Sequence, residues 1–351
     1  VKDLEQYLKR IKPADWEVSR RVQKRLDSKT KPVGSLGRLE SLVMQCAAVQ
    51  GSEDPSCRKK VIFTLAADHG VVHEGVSAYP QSVTAQMVAN FLSGGAGVNV
   101  LARHTGCEVI VVDMGVAGEI GCTGYVSRKI GYGTNNFTKG PAMTREQAVR
   151  SIVTGIELAI ETDFDILGTG EMGIGNTTPS SAIACVITGR DVHELTGRGT
   201  GIDDHGLSVK IRAIRTGIEL NRPDPDDPID VLAKVGGFEI GGIAGLIIGA
   251  ALKKRLAVVD GFISTAGALI AQKLHPGLAD YFVISHLSAE KGHDIFTEYM
   301  GKKPILDLGM RLGEGTGAAL AINLIEVAVR LYYEMATFEG AGVEGKKAPD
   351  S

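Results

Sequence analysis

Phe164-Asp-Ile-Leu-Gly-Thr-Gly-Glu-Met-Gly-Ile-Gly-Asn-Thr-Thr-Pro179 runs from a short apolar segment through a glycine-rich one to a helix start. Phe164–Leu167 reads as a strand and Gly168–Thr178 as the loop beyond it. Thr178 reads as the N-cap of the next helix, with Pro179 at its first position. The same succession recurs along the chain. Val61–Leu65, Val109–Asp113, Ala257–Val259 and Tyr281–Ile284 are short apolar runs, each closing in small or polar residues before a helical pattern. This alternation predicts an α/β fold, a Rossmann-like and mainly parallel sheet with helices on both faces. In such sheets the ligand crevice lies beyond the carboxyl ends of the strands. Attention therefore falls on Asp68-His69-Gly70, Asp113, Gly168–Thr178, Asp260-Gly261 and Ser285–His293.

The chain around these segments has 351 residues, 44% hydrophobic and 23% charged, which is ample for a core and unlike a disordered chain. With 38 basic against 41 acidic residues it carries a net charge of -3, so no global positive field favours nucleic acid. Forty-five glycines against 12 prolines point to many tight turns and close backbone approaches. Five cysteines, odd in number and never in a C-x-x-C pair, argue against a disulfide framework and for a reducing cytoplasm. The N-terminus is charged and amphipathic, without an apolar signal core. Gly241–Leu252 is short and glycine-rich and Ala318–Val329 carries Glu326, so neither reads as a membrane span. Residues 1–28 read as amphipathic helices burying Leu4, Leu8, Ile11, Trp16 and Val22, followed by a helix near Arg38–Gln50. Asn221–Pro228 reads as a surface linker, Thr316–Thr337 as the last long helix, and residues 339–351 as frayed.

Residues 168–173 match G-x-G-x-x-G after a strand, with Asp191 some twenty residues on, which is the dinucleotide fingerprint. The helix signal comes later than that fingerprint requires. The longer loop instead suggests a phosphate seat built from free N–H groups and the hydroxyls of Thr177 and Thr178. Glu171 within it is expected to turn away from phosphate toward an N–H-bearing group, or else to face solvent. Glu314 stands between Gly313 and Gly315, which let a substrate approach it closely. In an apolar pocket it would have a raised pKa suited to general-base work, or it would simply favour the helix start. Ser285–His293 holds two histidines seven apart, unlike the i, i+4 spacing of helical metal pairs, so no metal is expected. Ser288 suits a phosphate ligand and His286 a structural hydrogen bond. Arg198 and Lys210, around the glycine-rich segment 197–201, suit an acidic ligand or an ordinary surface loop. Ser77-Ala-Tyr-Pro80 with Gln81 and Gln86 offers groups able to grip a flat heteroaromatic ring.

Lys31-Pro-Val-Gly-Ser-Leu-Gly-Arg-Leu-Glu40, Ala67-Asp-His-Gly-Val-Val72, Ser77-Ala-Tyr-Pro-Gln-Ser-Val-Thr84, Gly170-Glu-Met-Gly-Ile-Gly-Asn-Thr-Thr178 and Gly313-Glu-Gly-Thr-Gly317 occur in that order. Together, across residues 1–338, they resemble the nicotinate-nucleotide–dimethylbenzimidazole phosphoribosyltransferase family. The resemblance implies transfer of the 5-phosphoribosyl group of nicotinate mononucleotide to 5,6-dimethylbenzimidazole or a related base. The products are nicotinate and α-ribazole 5′-phosphate, used in the nucleotide loop of cobalamin. It implies a cytoplasmic homodimer acting on small molecules without a cofactor, a metal, a membrane or nucleic acid. It implies a large α/β domain at 30–300 and a small helical domain from 1–29 and 301–351. Carried over by position, Glu314 is the general base and Glu171 a contact on the benzimidazole side. Met172, Gly173, Gly175, Asn176, Thr177, Thr178, Lys210, Gly261 and Ser288, with Leu312 and Gly313, contact the substrates. Ser77, Tyr79 and Gln86 form the ring pocket. An NAD-dependent oxidoreductase, or a nucleotide- or azole-binding protein without turnover, are the alternatives.

Overall fold

The computed structural model describes residues 2–344, so Val1 and most of the segment read as a frayed tail, 345–351, lie outside the described residues. Its centre is one six-stranded sheet: β1 Lys60–Ala67, β2 Glu108–Gly115, β3 Val126–Ser127, β4 Ile166–Met172, β5 Leu256–Val259 and β6 Phe282–Ile284. The order is β3-β2-β1-β4-β5-β6, and every neighbouring pair is parallel. The chain winds outward from β1 in one direction and from β4 in the other, which makes the β1/β4 boundary the topological switch point.

Alternation along β1 assigns the two faces. Ile62 and Thr64 meet Gly315 and Glu314 at the start of the helix Thr316–Glu334, whereas Leu65 faces Gly242 of the helix Phe238–Leu252. The buried, glycine-rich stretch 241–252 is therefore a core helix. Gly245 on it lets the backbone of Ile152 and Gly155, in the helix Arg145–Glu161, come into direct contact. Among the described residues no helix is long and apolar enough to cross a membrane.

The strand Ile166–Met172 corrects the reading of Gly168–Thr178 as loop. The strand runs on through Gly168, Gly170 and Glu171; only Gly173–Asn176 turn, and the helix Thr177–Thr188 follows. Asn176, not Thr178, holds the N-cap position, and Pro179 is the third helical residue. The glycines are there for packing. A side-chain carbon at Gly168 would lie 3.0–3.2 Å from Ile62, Ile322 and Ala318, so its absence lets the helix Thr316–Glu334 sit on the sheet. Two glycines of the dinucleotide match are thus consumed inside the sheet.

Near the N-terminus Leu4, Ile11 and Val22 are buried and Leu8 is half-buried, but Trp16 is 45% exposed. Val18, Val22 and Leu26 define the buried stripe of the helix Trp16–Asp27, and Trp16, two residues before Val18, falls off that stripe. The last long helix ends at Glu334 rather than Thr337. Beyond it the chain extends so that Thr337 pairs with Lys29, and Thr30 N–H donates to Ala336 C=O at 3.0 Å. Asn221 closes one helix and Pro228 opens the next, with the linker between them as expected.

Candidate active site

A cavity of about 460 Å³, a size suited to small-molecule ligands, opens beyond the carboxyl ends of β4, β5 and β6. β4 delivers Glu171 and Met172, and the turn after it delivers Gly173, Gly175, Asn176 and Thr177. Gly261 follows β5, Ser288 follows β6, and Leu312, Gly313 and Glu314 precede the helix Thr316–Glu334. Tyr79 stands at the rim, 55% exposed. These residues, singled out from the sequence, share one wall system.

Glu314 has φ +66°, a left-handed conformation rare outside glycine, between Gly313 at +82° and Gly315 at +102°. A non-glycine residue held there stores strain, a feature that clusters at functional sites. Thr64 Oγ1 donates to the Glu314 carbonyl at 2.9 Å, and Val98 N–H, in the first turn of the helix Gly97–Thr105, donates to Oε2 at 3.2 Å. The residue is 6% exposed; burial raises the pKa of its carboxyl, while the Val98 and Gly97 amides moderate the rise. Asp260, at the end of β5, fastens the same loop by accepting from Gly315 N–H at 3.1 Å and Ala318 N–H at 3.0 Å.

Glu171 is buried, and its Oε2 accepts from Asn176 Nδ2, the N–H-bearing partner expected for it. Burial pushes its pKa up to about 8, so the group is mainly protonated at neutral pH. The turn after β4 is less open than a row of free amides. Ile174 N–H is taken by Thr84 Oγ1 at 3.1 Å, Asn176 N–H by Gly173 C=O and Thr178 N–H by Gly175 C=O. Thr177 faces the cavity while Thr178 is fully buried behind it.

Lys210 also stands behind the wall. Its ammonium donates to Thr177 Oγ1 at 2.7 Å and Gly197 C=O at 3.0 Å, and burial lowers its pKa to about 8. It therefore polarises the Thr177 hydroxyl rather than projecting into the cavity. Arg198 turns outward onto Asp204 and does not join it. Ser77 braces the wall from outside through Thr200 Oγ1 at 3.2 Å. Gln86 is exposed on the helix Val83–Leu92, whose cavity-facing residues are Val83 and Met87.

Sequence reasoning passed over Phe262, Ile263 and Arg311, and weighed Glu290 only as a metal ligand. Phe262 and Ile263 add apolar surface, and Glu290 accepts from Gly199 N–H at 2.9 Å while Arg311 donates to Gly199 C=O at 2.9 Å. His293 anchors Ser288, accepting its N–H at 2.8 Å through Nδ1. Among the described residues no group of three or more His, Cys, Asp or Glu is placed to hold a metal ion. All five cysteines are free.

The site is a buried carboxylate facing an apolar, hydroxyl- and amide-bearing cavity, and comparison with known proteins places it in context. A family model described as Phosphoribosyltransferase matches residues 11–343. Nicotinate-nucleotide–dimethylbenzimidazole phosphoribosyltransferase of Geobacter sulfurreducens is 57% identical over 344 residues, covering 97% of this chain and 98% of that one. The protein of the same name from a Roseiflexus species is 52% identical over 347 residues, covering 98% of each. The crystal structure of CobT from Thermus thermophilus superposes with a TM-score of 0.89 at 45% identity, over 93% of this chain and 99% of that one. With identity and coverage this high along nearly the whole chain, it belongs to the nicotinate-nucleotide–dimethylbenzimidazole phosphoribosyltransferase family.

Proposed function

We propose that the chain transfers the 5-phosphoribosyl group of nicotinate mononucleotide to 5,6-dimethylbenzimidazole or a related base, in cobalamin nucleotide-loop assembly. The observation that carries this reading is Glu314, a buried carboxylate of raised pKa held at the cavity by a strained backbone.

In nicotinate mononucleotide the pyridine nitrogen bonded to C1′ is cationic. When that bond breaks, its electron pair returns to the ring nitrogen and the nicotinate ring leaves uncharged at that atom. One nitrogen of the incoming azole supplies the pair for the new C1′–N bond, and the other carries the proton that must depart. Glu314 takes that proton, a role worth about 10²–10⁴-fold for a placed base. Glu171, protonated at neutral pH, is a hydrogen-bonding contact for the azole. Entry opposite the leaving group turns the β nucleotide into an α product. The walls formed by Tyr79, Val83, Met87, Phe262 and Leu312 hold two flat rings on either side of C1′. Thr177 backed by Lys210, with Gly261 and Ser288, receives the phosphoribosyl part.

The division into a large α/β domain, 30–300, and a small helical domain, 1–29 with 301–351, follows from the resemblance; the pairing of Lys29 with Thr337 joins the two chain ends, while the helix Thr316–Glu334 packs on the sheet itself. A homodimer follows from the same resemblance. A cytoplasmic setting fits the free cysteines.

Replacing Glu314 by Gln tests the central role. Turnover should fall by about 10²-fold or more while the nucleotide Kd stays within about twofold. Equal loss of binding and turnover would make Glu314 a structural residue.

A further inference from the structure

Two buried histidines follow β6, and they differ in how their ring nitrogens are used. His293 spends both on the protein: Nδ1 accepts from Ser288 N–H at 2.8 Å, and Nε2 lies 2.8 Å from Thr265 Oγ1. His286 spends one. Its Nδ1 lies 3.0 Å from Ser285 Oγ and 4.0 Å from Asp260 Oδ1. The Ser285 hydroxyl donates its single proton to the Asp260 carbonyl at 3.1 Å, so toward the ring it acts as acceptor. The ring proton therefore sits on Nδ1, and Nε2 carries a lone pair.

That lone pair is unanswered among the described residues. Nε2 is buried with no hydrogen-bond partner among the described residues, and the ring, 1% exposed, lines the cavity. Its Cε1–Nε2 edge faces Gly261, with those atoms 3.3 and 3.5 Å from where a side-chain carbon on Gly261 would stand. A buried acceptor of this kind is costly unless a water or a ligand donates to it, and at a cavity wall a ligand can take the place of the water. Burial also lowers the pKa of His286, which keeps the ring neutral near pH 7.

The chemistry selects the partner. A phosphate dianion has no proton to offer and repels a lone pair. The pyridine ring of the nucleotide carries no N–H. The hydroxyls of the ribose do donate, and they lie between the phosphate and the reacting carbon. We propose that His286 Nε2 accepts a hydrogen bond from a ribose hydroxyl of the nucleotide, an assignment that rests on the phosphoribosyl-transfer reading above. His286 is then a specificity residue that recognises the sugar, while its Nδ1 side holds it to Ser285.

The test is a comparison of binding without acceptor base, since removing a sugar hydroxyl also alters the lability of the glycosidic bond. Nicotinate mononucleotide and its 2′-deoxy and 3′-deoxy analogues are titrated into the wild-type protein and into His286→Asn. Asn keeps a polar group near Ser285 but does not reach the Nε2 position. At least one deoxy analogue should bind the wild type about 10-fold or more weakly than the parent, as expected for a buried acceptor left unpaired. In His286→Asn that penalty should shrink below about threefold. His286→Phe, similar in ring size, gives the same comparison if the Asn variant does not fold. Deoxy analogues binding the wild type as tightly as the parent, or a penalty undiminished in the variants, would overturn the assignment. Failure of nicotinate mononucleotide itself to bind would overturn the reading of the reaction, and this assignment with it.

Discussion

The α-carbon of Gly170 lies against the backbone of Glu314: a side-chain carbon at position 170 would stand 2.6 Å from the Glu314 carbonyl carbon and 2.8 Å from the Gly315 nitrogen. Thr64, paired with Gly170 across β1 and β4, donates to that same carbonyl. The sheet thus sets the position of the proposed base directly, through a glycine that admits its backbone and a hydroxyl that holds it.

Gly170→Ala should therefore move the Glu314 loop without dissolving the sheet. The expected result is a folded protein, destabilised by about 1–3 kcal/mol through overpacking, with kcat reduced at least about 10-fold. Circular dichroism and steady-state kinetics check this. A kcat equal to the wild type would mean that the contact does not position Glu314.

Glu171 links the cavity to pH-dependent stability. Its folded-state pKa of about 8 lies above the ordinary value of 4.5, so the folded state holds the proton more tightly than the unfolded one. The stability this confers is full below about pH 4.5 and is lost as pH rises through about 8. Glu171→Gln keeps an oxygen to accept from Asn176 and removes the titration. Its Tm should exceed that of the wild type by at least about 2 °C at pH 9, with the gain vanishing near pH 4. A gain of equal size at both pH values would show that titration is not its source.

Lys31 and Glu40 form an ion pair at 2.7 Å, with side chains 4% and 5% exposed, and Glu40 also accepts from Leu36 N–H. The pair closes the loop at Pro32–Gly37. Removing one partner leaves a buried charge, so Lys31→Met should cost about 3 kcal/mol. The Lys31→Met, Glu40→Leu double variant should recover a measurable part of that loss in urea unfolding. A double variant no more stable than Lys31→Met would show that uncompensated charge is not the cost.

The strands were legible because apolar β-branched runs ending in polar residues have few other readings: four of the five expected runs lie largely within an observed strand, Phe164–Leu167 enters one only at Ile166, and the two-residue β3 was too short to leave a run. The end of β4 was not legible. Gly168 and Gly170 carry the composition of a loop, yet they are strand residues made small by the helix and the Glu314 loop packed on them. That demand comes from residues some 140 positions away and leaves no local trace. The same holds for the wall of the cavity. Val83 and Met87 face it while Gln86 does not, a matter of helical phase that a list of polar side chains misses. His286 was legible as a hydrogen-bonding residue. Which of its nitrogens the protein uses became readable only from the contacts of Ser285 Oγ with the Asp260 carbonyl and the ring.

The measurement that tests the whole account most directly is the product ratio. The pure protein is incubated with nicotinate mononucleotide and 5,6-dimethylbenzimidazole, and both products are followed by chromatography and NMR. The account predicts nicotinate and α-ribazole 5′-phosphate in equal amounts, with the new glycosidic bond in the α configuration. Nicotinate released without the riboside, or a riboside in the β configuration, would contradict it.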